Sequence, residues 1–258
     1  MVADRASPFS LAGKVAIVTG SSRGIGRATA ELFGQLGASV VVSSRKAEAC
    51  GPVADAITAA GGTAAVIPCN IARKPEVEAL VSGTLERFGR IDVLVCNAAV
   101  NPTYGPMASL SDEAFDKIMG SNVKSNLWLC NLVIPGMAER GGGSVVIVSS
   151  IAGIRAAENI GGYGISKAAD FALARNLAVE WGPHNVRINC IAPGLVKTDF
   201  AKALWEDAER VGRRNAATPL RRIGEPHEIA PVAAFLAAQA SSFITGQVIV
   251  ADGGVTIA

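Results

Sequence analysis

At 258 residues, half of them hydrophobic and 18% charged, the chain has ample material for a buried core, and its length fits either two domains or one large α/β domain. Twenty-four Lys and Arg against 22 Asp and Glu leave a formal net charge of +2. With no basic block and no acidic tail, binding to nucleic acid or to a membrane surface through bulk charge is not expected.

The cysteines, Cys50, Cys69, Cys96, Cys130 and Cys190, form no C-x-x-C pair, and His184 and His227 add no zinc spacing, so no metal site is expected. Scattered cysteines in apolar stretches behave as small buried hydrophobes and fit a reducing compartment. The first eleven residues carry Asp4, Arg5 and Pro8 and lack the apolar core of a signal peptide, and no apolar run approaches the length of a membrane span. A soluble cytoplasmic protein is expected.

Residues 14–19 (KVAIVT) are a short β-branched apolar run, the pattern of a strand buried on both faces of a parallel sheet. Gly20-Ser21-Ser22-Arg23-Gly24-Ile25-Gly26 follows, then a helix over about 27–36 and a second strand over 40–43. Strand, glycine-rich turn, helix and strand make a βαβ unit, which sets a helix N-terminus and its free N–H groups beside a pyrophosphate. The spacing is G-x-x-x-G-x-G rather than G-x-G-x-x-G.

The alternation continues with helices over 46–60 and 75–88, strands over 63–69 and 91–96, and a polar segment from 101 to 111. One long helix is expected from 112 through Asn122 to about 140, stopped by Gly141-Gly142-Gly143. A strand over 144–149 ends at Ser150. A helix over 162–181 carries Tyr163 and Lys167, which at a spacing of four share one face. A strand over 186–191 runs into Pro193-Gly194; residues 196–218 read as a helical flap, 225–238 as a helix and 247–251 as the last strand. Seven strands alternating with helices, without a linker, predict an α/β fold: a single doubly wound (Rossmann-type) domain over 1–258, with a seven-stranded parallel sheet and helices on both faces. Residues 1–10 are taken as an N-terminal extension and 195–217 as a substrate flap.

Ligands of such sheets bind beyond the carboxyl ends of the strands. The glycine turn, Asn97, Ser150 and Pro193-Gly194 all fall there. A phenol with a reference pKa of about 10 is a poor acid or base at neutral pH, and a neighbouring ammonium is expected to pull it down.

Taken together, Thr19-Gly20-Ser21-Ser22-Arg23-Gly24-Ile25-Gly26, Asn97-Ala98-Ala99, Asn122, Ser150, Tyr163-x-x-x-Lys167 and Pro193-Gly194 resemble the short-chain dehydrogenase/reductase family over residues 11–254. The resemblance implies that Tyr163 donates and accepts the proton. It implies that Lys167 lowers the Tyr163 pKa and holds the nicotinamide ribose, that Ser150 orients the substrate carbonyl, and that Asn122 holds a water in a proton relay. It places Gly20, Ser22, Arg23, Gly24, Ile25 and Gly26 at the cofactor, together with Asn70, Ile71, Asn97, Ala98, Pro193, Gly194, Val196 and Thr198. The chain departs from the family pattern at Ala99, where glycine is usual, and at Asn70, where aspartate is usual; Asn70 is still able to bond an adenine edge.

The second strand ends in Ser43-Ser44-Arg45-Lys46. An NAD enzyme usually places a carboxylate here for the ribose 2′-OH, whereas a 2′-phosphate needs hydroxyls and cations. Ser44, Arg45 and Lys46, with Arg23, favour NADP(H) over NAD(H). Tyr104, Met107, Leu195, Val196, Phe200, Leu204 and Trp205 form an apolar stripe that fits a substrate pocket or local core equally. If it is a pocket, the substrate is a medium-sized hydrophobic ketone, aldehyde or secondary alcohol, and the motif detail resembles NADP(H)-dependent carbonyl and retinal reductases. The alternatives are a 3-oxoacyl thioester reductase using Arg213, Arg214, Arg221 and Arg222, an NAD-dependent alcohol dehydrogenase, and a catalytically silent cofactor-binding protein. The resemblance also implies a homotetramer.

Overall fold

Seven short apolar runs pair in parallel into one sheet, in the order β3-β2-β1-β4-β5-β6-β7. The strands are β1 (Val15–Thr19), β2 (Ser39–Ser43), β3 (Thr63–Val66), β4 (Val93–Cys96), β5 (Gly143–Val148), β6 (Val186–Pro193) and β7 (Val248–Ala251). The computed structural model describes residues 7–258, the side chains of Ala203 and Arg210 excepted; the first six residues of the expected N-terminal extension lie outside the described residues.

The central strands β1 and β4 read as unbroken apolar runs, buried at every position, because both faces of the sheet are covered there. Along β1, Ile17 points into one core with Val77 and Leu80 of α3 (Lys74–Phe88), Leu129 and Val133 of α5 (Ser125–Glu139), and Phe171 and Leu177 of α6 (Gly161–Trp181). Ala16 and Val18 point into the other, with Phe33 of α1 (Gly24–Gln35), Val53 and Ile57 of α2 (Ala47–Ala59), and Ile229 and Ala233 of α9 (Pro226–Ala237). All five cysteines are buried and free within these layers, as their apolar settings suggest. The chain steps outward from β1 to β3 and then returns to β4 beside β1. A crevice therefore opens above the β1–β4 junction, where the two connections diverge.

Two expectations need correcting. The strand expected over 63–69 ends at Val66, although the Ile67 and Cys69 N–H groups still donate to the carbonyls of Val42 (3.2 Å) and Ser44 (2.9 Å) beyond it. The flap is helical as expected, in three short pieces: a 3₁₀ turn (Asp199–Ala201), α7 (Lys202–Trp205) and α8 (Ala208–Ala217). The long helix expected over 112–140 is broken into α4 (Asp112–Met119) and α5 by a π-helical turn over Gly120–Lys124. A π turn inserts a residue and leaves backbone groups without their i→i−4 partners. Here Asn126 Nδ2 donates to the Asn122 carbonyl at 2.6 Å, and the Asn122 amide pairs in both directions with the backbone of Val100, at 2.8 and 2.9 Å. The two asparagines thus hold the insertion and fasten it to the loop after β4.

Candidate active site

Every strand of the sheet ends on one cleft of about 1370 Å³, or runs into a loop that lines it. Its floor begins at the glycine turn. Gly20 has φ +64°, and a Cβ there would lie 2.9 Å from both the Ala98 Cα and Asn97 Nδ2; Gly24 has φ +57°. Both therefore need glycine, on conformational grounds in each case and for close approach at Gly20. At Gly26 a Cβ would meet the Gly20 carbonyl oxygen at 2.4 Å, so this glycine lets α1 pack down onto the end of β1. Arg23 stands at the N-cap of α1 without a capping side-chain bond, and the first turn holds no acidic residue, so the free N–H groups face the cleft. That is a fit to a dinucleotide pyrophosphate.

Thr19 and Asn97 fix this turn against β4. Thr19 Oγ1 accepts from the backbone N–H groups of Asn97 (3.0 Å) and Ala98 (3.1 Å) and donates to the Val95 carbonyl (3.2 Å). Asn97 Nδ2 in turn donates to the carbonyls of Thr19 (2.8 Å) and Gly20 (3.2 Å). Ser21 ties the turn to β2, accepting from the Ser43 N–H at 2.8 Å. At the end of β2, Ser44, Arg45 and Lys46 line the cleft; Ser44 Oγ donates to the Lys46 carbonyl at 3.3 Å, and neither Arg45 nor Lys46 has an ion pair among the described residues. Arg23 reaches across to Asp199 at 3.3 Å, with both side chains exposed. Asn70 and Ile71 also line the wall, but Asn70 Oδ1 accepts from the Ala72 N–H at 3.1 Å, which leaves its Nδ2 the free end for an adenine edge.

Ser150 closes β5, and its Oγ accepts from the Ala152 N–H at 3.1 Å. Tyr163, half-buried, faces the cleft from the first turn of α6 with its ring 5.9 Å from that of Phe200. Lys167 lies one turn below with its Nζ 5.6 Å from the centre of the Tyr163 ring. It is only 2% exposed and donates to the Val148 carbonyl at 3.0 Å and to Asp170 Oδ2 at 3.1 Å. An ammonium has three donors; one is left for a ligand.

Burial pushes the Tyr163 phenol up; the Lys167 ammonium and a hydrogen bond from Ser150 oppose this, and Asp170 adds to the rise. The net direction is upward, which corrects the expectation that the neighbouring ammonium draws it down. The physical reason is first the burial of the phenol, which outweighs the pull of Lys167; the buried Asp170 carboxylate adds a smaller push in the same direction. Burial works against the Lys167 ammonium too, but the Asp170 carboxylate, by charge and hydrogen bond, together with Tyr163 more than offsets it, so this lysine stays charged beyond the usual range.

The structure gathers Gly20, Ser22, Arg23, Gly24, Ile25, Ser44, Arg45, Lys46, Asn70, Ile71, Asn97, Ala98, Ser150, Tyr163, Lys167, Pro193, Gly194, Val196 and Thr198 on the wall of this one cleft. Gly26 and Asn122 lie behind it: Gly26 is a packing glycine, and the Asn122 side chain is committed to Val100 and, at 3.0 Å, to Ser166 Oγ. Of the apolar stripe, Tyr104, Leu195, Val196, Phe200 and Leu204 line the cleft. Met107 instead borders a side pocket of about 230 Å³, and Trp205 braces the flap by donating to the Thr198 carbonyl at 2.8 Å. Sequence reasoning missed Arg155, whose Nη1 donates to the Val255 carbonyl at 2.7 Å and brings the chain end to the cleft mouth. It also missed Asp170 and Asn126, although Asp170 stands at the helical i+3 spacing from Lys167.

A family model described as enoyl-(acyl carrier protein) reductase matches residues 20–256. The rabbit (Oryctolagus cuniculus) protein named dehydrogenase/reductase SDR family member 4 is 44% identical over 244 residues, which are 95% of this chain and 94% of that protein. Among solved structures, a 7α-hydroxysteroid dehydrogenase complexed with NADH and 7-oxo glycochenodeoxycholic acid superposes with a TM-score of 0.91 at 37% identity, covering 96% of both chains. A gluconate 5-dehydrogenase from Burkholderia cenocepacia in complex with NADP and tartrate superposes with a TM-score of 0.93 at 30% identity, covering 97% of this chain and 98% of that one. Such a fold, with a dinucleotide cradle and a serine, tyrosine and lysine converging on one cleft, defines an NAD(P)(H)-dependent oxidoreductase acting on CH–OH and C=O groups. The chain belongs to the short-chain dehydrogenase/reductase family.

Proposed function

We propose that this protein interconverts a hydrophobic ketone or aldehyde and its alcohol with NADP(H), using Tyr163 as general acid and base. The observation that carries the reading is the convergence of Ser150, Tyr163 and the buried Lys167 on the cleft that the glycine turn also lines. A bound nicotinamide supplies the hydride. Reduction builds negative charge on the substrate oxygen, and hydroxyl donors from Ser150 and Tyr163 aimed at that oxygen stabilise it. Tyr163 then delivers the proton, and the Lys167 ammonium one turn below stabilises the phenolate left behind. Asn122 serves this site from behind, by fixing Val100 on the cleft wall and Ser166 on α6.

The preference for NADP(H) rests on the end of β2. Ser44 offers a hydroxyl, Arg45 and Lys46 offer cations without ion pairs among the described residues, and no carboxylate stands there to repel a 2′-phosphate. Tyr104, Leu195, Phe200 and Leu204 favour an apolar substrate body. The thioester reading is weaker, because Arg213 is paired with Glu209, Arg222 is paired with Glu228 and Arg221 is not on the cleft wall, which leaves Arg214 as the one arginine of the four on the wall without an ion pair among the described residues. We read the chain as one domain that assembles as a homotetramer in the cytoplasm; sizing by light scattering checks the assembly, and fractionation of the source cells checks the compartment.

The test is oxidation of NADPH, and separately NADH, over a panel of ketones, aldehydes and one β-ketoacyl thioester, with Tyr163→Phe alongside. NADPH-dependent turnover of apolar carbonyls that falls at least a thousandfold in Tyr163→Phe is expected, roughly the upper range of general acid–base catalysis. Activity surviving that substitution rejects the mechanism, and a strong preference for NADH rejects the role given to Ser44, Arg45 and Lys46.

A further inference from the structure

Two charged side chains of the described residues are almost completely buried beside the reacting tyrosine, and the family motif accounts for only one of them. Asp170 is 0% exposed and Lys167 2%. Asp170 Oδ2 accepts from Lys167 Nζ at 3.1 Å, and Asp170 Oδ1 accepts from Asn126 Nδ2 at 3.0 Å. Asn126 also reaches the Asn122 carbonyl at 2.6 Å, so an unbroken side-chain chain runs from Lys167 through Asp170 and Asn126 to the backbone of the π turn. The resemblance assigns Asn122 a water in a proton relay; Asp170 and Asn126 form a separate, direct side-chain link between Lys167 and the π turn.

We propose that Asp170, braced by Asn126, is a positioning residue of this active site: it holds the Lys167 ammonium under Tyr163 and, by countering its charge, sets the pH at which the Tyr163–Lys167 pair releases its proton. This rests on the reading of Tyr163 as the acid and base. The geometry leaves Lys167 little freedom, since Val148 and Asp170 take two of its donors and fix the direction of the third. The electrostatics follow from Coulomb's law alone. A carboxylate beside the pair makes loss of a proton harder, whichever member gives it up, so removing that charge makes it easier. Asp170 stands seven residues, about two helical turns, from Tyr163; for that separation and an effective dielectric constant of about 20, the shift is roughly one pH unit.

The other titratable groups around Asp170 are thiols and one distant guanidinium. Cys190 on β6 donates its thiol to the Asp170 carbonyl at 3.5 Å, Cys96 on β4 faces Cys130 on α5, and Arg175 lies farther along α6. A hydrogen bond with Cys130 and burial keep the Cys96 thiol well above its ordinary range, and burial does the same for Cys190, so neither replaces the carboxylate as a charge in the working range.

The experiment is the pH profile of kcat/KM for alcohol oxidation with NADP⁺, in the wild type, Asp170→Asn, Asp170→Leu and Tyr163→Phe. In both Asp170 variants the acidic limb moves to lower pH by roughly a unit. A limb that stays in place, whether or not kcat falls, overturns the proposal, because a merely structural carboxylate lowers kcat or stability without moving the profile. Should neither variant fold, the wild type still decides. The chain has two tyrosines, so the ultraviolet phenolate titration of wild type minus Tyr163→Phe isolates Tyr163. Burial, with Asp170 countering Lys167, holds it above the ordinary value of about 10, and a Tyr163 well below that value also overturns the proposal. If instead Tyr163→Phe keeps its activity, the acid–base reading fails first, and that outcome is read independently of the Asp170 variants.

Discussion

The tightest backbone approach in the cofactor cradle can be tested with a single methyl group. Gly26 sits in the first turn of α1, where alanine is intrinsically better than glycine by about 1 kcal/mol. Its missing Cβ would stand 2.4 Å from the Gly20 carbonyl oxygen and 2.5 Å from Asn97 Nδ2, well inside contact distance and against backbone that cannot swing away. Gly26→Ala must therefore lift α1 off the end of β1 and strain the bonds that Asn97 makes to the Thr19 and Gly20 carbonyls. Overpacking of this kind costs about 1–3 kcal/mol, and a weakened buried hydrogen bond adds about 1 kcal/mol. Net of the propensity gain, a loss of about 2 kcal/mol is expected. Gly51 in α2 is the control, because a Cβ there meets nothing within 4 Å; Gly51→Ala should gain about 0.5–1 kcal/mol. Urea unfolding at matched protein concentration measures both, and titration of NADPH fluorescence reads the cradle. A roughly tenfold or greater weakening of NADPH binding, about 1.4 kcal/mol, is expected in Gly26→Ala alone. If the two variants have equal stability and equal NADPH affinity, the close packing of α1 does not shape the cradle and the reasoning fails.

Two further predictions concern charge. Ser44→Asp places a carboxylate at the end of β2; NADPH should lose roughly tenfold or more in kcat/KM while NADH gains, and steady-state kinetics with both cofactors would expose an unchanged ratio as a refutation. The paired Arg222 and the Glu225 N–H hold the Glu228 carboxyl down to about 2 from an ordinary 4.5. A depressed carboxylate contributes stability above its unfolded value and loses it as pH falls through the folded one. Wild type should therefore exceed Glu228→Gln in melting temperature above about pH 4.5, with the gap closing toward about pH 2; a gap independent of pH would contradict this.

The sheet was legible because covering both faces leaves one kind of signal, a short apolar, largely β-branched run, which is clear in β1 (VAIVT), β2 (SVVVS), β4 (VLVC) and β5 (GSVVIV) and weaker in β3 (TAAV) and β6 (VRINCIAP). The cradle was legible because glycines forced by positive φ and close approach leave a mark in the sequence, as Gly20, Gly24 and Gly26 do. The break at Gly120–Lys124 was not. The apolar periodicity runs through it, and what stabilises it is long-range pairing of Asn122 with Val100, 22 residues away. Met107 and Trp205 were placed in the substrate stripe because apolar character does not say whether a side chain faces a cleft or props the segment that forms it. The direction of the Tyr163 shift was missed for a related reason: it depends on how deeply the phenol is set and on what lies behind the lysine, and both are products of tertiary packing.

Asp170 is the instructive case. Its spacing from Lys167 was in plain view, but an i+3 Lys–Asp pair on a helix is ordinarily a solvated surface contact worth a few tenths of a kcal/mol. Burial changes its meaning. Inside a protein, an ion pair seldom adds stability over apolar side chains of the same size, since desolvating both charges offsets their attraction. Neighbouring positions on the same inward face of α6 hold Phe171 and Ala174, which pack into the core at no such cost. A carboxylate kept there, in contact with an active-site lysine and with both oxygens bonded, is therefore poorly explained by folding. It is explained by chemistry at Tyr163, where the charge state of Lys167 matters and where a buried counter-charge is the means of holding it.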